Sequence, residues 1–116
     1  MQETLRTKRF AELIRQEVSN VIRASVHDPK VKDVVITAVK VNVDLDLARI
    51  YWTTYNNDAL KGIQAGLERS AGFIRKEILK SVRSKKVPKL EFIIDDSRQE
   101  ADRIDGLLSL IEKENH

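Results

Sequence analysis

Apolar residues recur along this chain with two different periods, and the switches between them mark out its elements. From Leu5 to about Val26, Phe10, Leu13, Ile14, Val18, Val21 and Ile22 repeat every three or four residues. That is the stripe of an amphipathic helix, with Glu12, Arg15 and Asn20 on its other faces. Asp28-Pro29 ends it, because the residue before a proline is pushed out of the α region. The next segment, VVITAVKVNV, is rich in β-branched residues, and Thr37, Val39, Val41 and Val43 alternate with Lys40 and Asn42. After the polar turn Asp44-Leu45-Asp46, a second alternation sets Ala48, Ile50, Trp52 and Thr54 against Arg49, Tyr51, Thr53 and Tyr55. Two strands joined so tightly predict an antiparallel hairpin.

The helical period then returns. Asn56 or Asn57 offers a capping oxygen to a stripe of Leu60, Ile63 and Leu67, which meets a small-residue break at Ser70, Ala71 and Gly72. The stripe resumes through Phe73, Ile74, Ile78 and Val82. Pro88 precedes a third strand, Lys89 to Asp95, with Leu90, Phe92 and Ile94 on one face. Ser97 and Glu100 have the spacing of a capping box and open a last helix, with Ile104, Leu107, Leu108 and Ile111 expected inward. The predicted order is α-β-β-α-kink-α-β-α. It describes an α+β fold in which helices cover a three-stranded sheet.

Composition confines this pattern to one domain spanning residues 1–116, with 41% hydrophobic residues and too few prolines and glycines for an interdomain linker. There is no cysteine, hence no disulfide, thiol nucleophile or thiolate metal site. The first ten residues, MQETLRTKRF, lack the apolar core of a signal peptide, and no apolar run approaches a membrane span. The expectation is a soluble, cytoplasmic protein.

Charge changes the picture more than composition does. The net charge of +3 hides a strongly polarised chain. From Arg69 to Lys89, eight basic residues face the single acid Glu77, whereas Asp95 to His116 carries seven acids against three bases. The helical spacing of the intervening apolar residues puts these cations on the outer face of a packed element. A basic face without its i,i+4 acid partners suits a polyanion better than mere solubility.

The same residues carry a family likeness. A basic helix–kink–helix before the last strand resembles the order of a type II KH domain. Closer still, the chain resembles the ribosome-binding factor A family. The likeness runs through Arg6, Arg9 and Ile14 leading to Asp28-Pro29, then Val39, Asp44-Leu45 and Ala48-Arg49-Ile50-Tyr51 of the hairpin. It continues through Gly72-Phe73-Ile74-Arg75 and the run Val87-Pro88-Lys89-Leu90-Glu91-Phe92 with Asp95 behind it. The resemblance implies a non-enzymatic factor that binds the small (30S) ribosomal subunit and its rRNA during late assembly and rRNA processing, and supports growth in the cold. It also implies that the Gly-x-x-Gly loop of KH domains gives way to an interrupted helix around Ala-x-Gly. Here Ser70 stands where that alanine is expected.

Without a second glycine, a close backbone clamp on RNA is looser and side-chain cations carry the contact. The candidates are Arg69, Arg75, Lys76, Lys80, Arg83, Lys85 and Lys86, with Arg6, Lys8 and Arg9 as a second patch. Lysines act as point charges and arginines can bond phosphate bidentately. Phe10, Trp52 and Phe92 fall on apolar faces and are expected in the core. Tyr51 and Tyr55 either stack on bases or lie under a helix, the second reading being preferred.

No catalytic inventory accompanies these cations. His27 and His116 have no spaced partners, the adjacent Asp95 and Asp96 point to opposite faces of a strand end, and no glycine-rich phosphate loop is present. Neither an enzyme, a cofactor, a metal site, a small-molecule substrate nor a membrane partner is expected, and the chain is read as a monomer. Two other readings stay open on the residues alone: a general single-stranded RNA-binding KH module, and a protein-interaction domain whose basic face meets an acidic partner.

Overall fold

A computed structural model describes residues 3–55, 59–81, 87–96 and 106–111. Helix α1 spans Leu5–Ser25, strand β1 Val35–Val41, strand β2 Leu47–Thr53, helix α2 Leu60–Ser81 and strand β3 Lys89–Ile94. Thr4 starts α1 through a reciprocal capping box: its hydroxyl accepts the Thr7 N–H at 3.1 Å, while the Thr7 hydroxyl accepts the Thr4 N–H at 2.8 Å. The helix ends where Val26 turns extended, two residues short of Asp28-Pro29.

The sheet order is β1-β2-β3, antiparallel between β1 and β2 and parallel between β2 and β3. The hairpin turn is braced by Asn42, whose side-chain oxygen accepts the N–H groups of Asp46 and Leu47, each at 3.0 Å. Leu45 takes a left-handed φ of 58° at its tip. Val43, expected to continue the first strand, lies instead in this turn and is exposed. Thr37 also departs from simple alternation. The register slips between Ile36 and Ala38, leaving Thr37 in a bulge where its hydroxyl donates to the Asp95 carboxylate at 2.6 Å.

One face of the sheet makes the core. Ala48, Ile50 and Trp52 of β2 are fully buried, joined by Leu90 and Phe92 of β3 and by Ile14, Val18, Ile63, Leu67, Ile74 and Ile78 of the helices. The expected assignment of Phe10, Trp52 and Phe92 thus holds, with Phe10 only half-buried. Gln64 clips α2 to the sheet: it accepts the Trp52 indole N–H at 2.7 Å and donates to the Phe92 carbonyl at 2.8 Å. Each partner would otherwise be a buried polar group left without a bond.

Two helical expectations need correction. Leu60–Ser81 is one continuous α-helix, running through Ser70, Ala71 and Gly72 without interruption. Serine and alanine sit readily in a helix, and Gly72 keeps its N–H donor and has no positive φ. Its cost is therefore about 1 kcal/mol of propensity rather than a break. The second correction concerns the chain end. Residues 106–111 are helical, but Leu107, Leu108 and Ile111 are each more than half exposed rather than turned inward. Asn56, Asn57, Val82, Ser97, Glu100 and Ile104, also assigned from the sequence, lie outside the described residues.

Candidate nucleic-acid interface

Helices α1 and α2 form a layer over the sheet, and two polar contacts fix their relative direction. The Ser81 hydroxyl at the end of α2 donates to the Glu17 carboxylate at 2.8 Å. Midway along α2, Arg69 approaches Asp28, just past the C-terminal end of α1, at 3.8 Å. The helices therefore run antiparallel. The first turns of α1, with Arg6, Lys8 and Arg9, lie toward the end of the layer that holds Lys76 and Lys80.

Gly66 makes the second of these contacts possible. A Cβ there would stand 3.0 Å from the Val31 side chain and 3.1 Å from the Asp28 carboxylate. The loop after α1 therefore rests directly on the backbone of α2. Asp28 shapes that loop through its other oxygen, which accepts the Lys30 N–H at 3.0 Å.

The cations expected to meet RNA divide by what already holds them. Arg75 donates two bonds to the Val87 carbonyl, at 3.1 Å from Nε and 2.8 Å from a terminal nitrogen. Lys80 pairs with Glu77 at 2.9 Å. Arg69 is highly exposed and only loosely engaged by Asp28. Lys76 is exposed, and no partner for it is found among the described residues. Arg83, Lys85 and Lys86 lie outside the described residues.

On α1 the three candidates take two sides. Arg6 and Arg9 flank a shallow apolar groove made by Leu5, Phe10, Leu13 and Leu45. Lys8 faces a cleft between α1 and β1, beside Thr7, Glu12 and Arg15. Arg15 is neutralised locally. Its side-chain bonds to Glu12 hold that carboxyl below the usual carboxylate range and push the Arg15 guanidinium still further toward its charged form.

The resulting surface is one of exposed point charges on helix backs, without an enclosed cleft. Such an arrangement suits phosphates along a backbone. Among the described residues no group of three or more potential metal ligands comes together, and no helix is long and apolar enough to cross a membrane. Sequence reasoning missed the structural duty of Arg75. Its only signal was position, since the spacing from Arg75 to Val87 says nothing of a contact across the layer.

Comparison with known proteins agrees with this architecture. The family model described as ribosome-binding factor A matches residues 6–108. The chain is 39% identical over 116 residues to ribosome-binding factor A of Pediococcus pentosaceus, covering 98% of this chain and 100% of that one. It is 36% identical over 111 residues to the Pelobacter propionicus protein of the same name, covering 95% of this chain and 91% of that one. Among solved structures, the crystal structure of ribosome-binding factor A from Thermus thermophilus superposes with a TM-score of 0.69 at 19% identity, over 76% of this chain and 93% of that one. A Thermus thermophilus homology model fitted into a cryo-EM map of a complex with the 30S subunit gives 0.64 at 20% identity, over 74% and 91% of the two chains. At such identities the structures speak for the fold, while the family match and the relatives settle descent: the chain belongs to the ribosome-binding factor A family.

Proposed function

We propose that this chain binds the free small ribosomal subunit through rRNA phosphates, acting without catalysis during late assembly and rRNA processing. The helix layer is the docking face, with Lys76, Arg69 and the α1 cations Arg6, Lys8 and Arg9 as its contacts. Arg83, Lys85 and Lys86 extend the same basic run in sequence. The observation that carries this reading is an exposed cationic layer whose charges are only partly offset by neighbouring acids. Family membership supports it, and so does the Thermus thermophilus protein, described in a complex with the 30S subunit.

The work of such a factor is differential binding. It shifts an rRNA equilibrium only by the difference between its affinities for two conformations. A role in cold growth fits that scheme, since a stabilised wrong pairing in cold rRNA would have to be outcompeted. The protein acts as a monomer in the cytoplasm under this proposal.

The test is co-sedimentation with isolated small subunits, large subunits and whole ribosomes at two salt concentrations. Selective, salt-sensitive pelleting with free small subunits supports the proposal. Equal pelleting with every particle leaves a general RNA-binding module, and no pelleting at all points to a protein partner instead.

A further inference from the structure

The side of the sheet turned away from the core is not bare polar surface. Residues opposite one another there form two rows across the strands: Lys40, Arg49 and Glu91, then Ala38, Tyr51 and Ile93. Tyr51 sits on the central strand between a methyl group and an isoleucine. The Lys40 ammonium, two residues along β1 from the position opposite Tyr51, reaches back to 5.8 Å from the ring centroid. Lys89 adds a third cation at the start of β3, while Glu91 is the only acid in these rows and lies 4.0 Å from Arg49. Helices α1 and α2 pack on the opposite face, over Ile50 and Trp52, so neither covers Tyr51.

We propose that this face is a second RNA contact, in which Tyr51 stacks on one unpaired nucleobase while Lys40 and Arg49 take the flanking phosphates. An aromatic ring on a central strand, edged by small or apolar neighbours and by cations, supplies the two things a single strand needs. These are a π surface for any base and positive charge for the backbone. An acidic protein would use the cations and leave the ring idle; an apolar partner would desolvate Lys40, Arg49 and Lys89 together with the acids Glu91 and Asp95. The proposal rests on the RNA-binding reading and extends it from phosphates to a base.

The experiment measures affinity of the full chain for a short single-stranded RNA and for an abasic RNA of the same length, a ribose-phosphate chain that keeps the phosphates and carries no bases. Variants Tyr51→Phe, Tyr51→Leu, Lys40→Gln and Lys76→Glu are compared, with thermal unfolding followed for each. Tyr51→Leu should weaken binding about tenfold and Tyr51→Phe less than about twofold. On the abasic RNA, the Tyr51→Leu variant and the wild type should bind alike. Should Tyr51→Leu fail to fold, a wild-type preference for the intact RNA over the abasic one, together with weaker binding by Lys40→Gln, supports the stacking role in its place. Equal affinity of Tyr51→Leu and wild type, or an equal loss on both RNAs, overturns that role. If that happens while Lys76→Glu still weakens binding, the helix layer binds RNA and the sheet face does not. Wild-type protein that binds neither RNA overturns this proposal by removing its premise.

Discussion

The guanidinium of Arg75 bonds twice to the carbonyl oxygen of Val87, tying the outer side of α2 to the segment that leads into β3. Val87 and Pro88 are both buried, so the Val87 carbonyl has little access to water and Arg75 supplies its donors. A residue that reads from the sequence as a phosphate contact is thus already engaged in holding the fold together.

Arg75→Ala should therefore lower stability by about 1–2 kcal/mol, the net worth of a charge-assisted bond at a partly exposed site. Denaturant unfolding checks it. Arg75→Lys should recover little, since one ammonium cannot reproduce the two-pronged geometry.

Lys76→Glu should behave in the opposite way. The side chain is exposed and no partner for it is found among the described residues, so stability should change by less than about 0.5 kcal/mol. Affinity for small subunits should fall, and the dependence of log K on log salt should flatten by about one ion. A binding titration across salt concentrations reads both quantities.

The glycines of α2 offer a paired comparison. A Cβ at Gly72 would meet nothing within 4 Å, so Gly72→Ala should raise stability by about 0.5–1 kcal/mol through helix propensity. At Gly66 the added methyl would press on Val31, which is fully buried, and on the Asp28 carboxylate, and both would have to give way. Gly66→Ala should lose that gain and destabilise the protein. Thermal midpoints of the two variants, measured side by side, settle the contrast.

Gln64→Leu should cost about 1–3 kcal/mol, because it takes the partner from both the Trp52 indole N–H and the Phe92 carbonyl at the partly buried margin of the core. Since Trp52 is the sole tryptophan, its fluorescence reports the change directly.

The sheet was the most legible part of the chain. Ala48, Ile50, Trp52 and Thr54 alternate without fault because β2 is the central strand, buried on one face along its whole length. At the edge, β1 departs from its sequence pattern, since the bulge at Thr37 serves a contact with Asp95 that lies 58 residues away and leaves no local trace. Helical stripes read too broadly for a related reason. Leu13 and Phe73 fall within the apolar stripes, yet they are exposed, because a helix buries only the arc its neighbours reach. The expected interruption at Ser70-Ala71-Gly72 rested on small side chains, but a helix is broken by a lost donor or a clash, and Gly72 brings neither. At the candidate interface, spacing identified which residues carry positive charge. It could not tell that Arg75 already has a partner, since the carbonyl that holds it belongs to another segment, whereas the pairing of Lys80 with Glu77 follows the i,i+3 spacing of one helix.

The central claim is that exposed cations of the helix layer dock this chain on the small subunit. The most direct measurement is the equilibrium affinity of the full chain for isolated small subunits, wild type against Arg6→Glu/Arg9→Glu/Lys76→Glu, over a series of salt concentrations. Steep salt dependence is expected for the wild type, with the triple variant much weaker, flatter in slope and folded as before. Equal affinity of the two proteins, or a wild-type complex indifferent to salt, would contradict that claim.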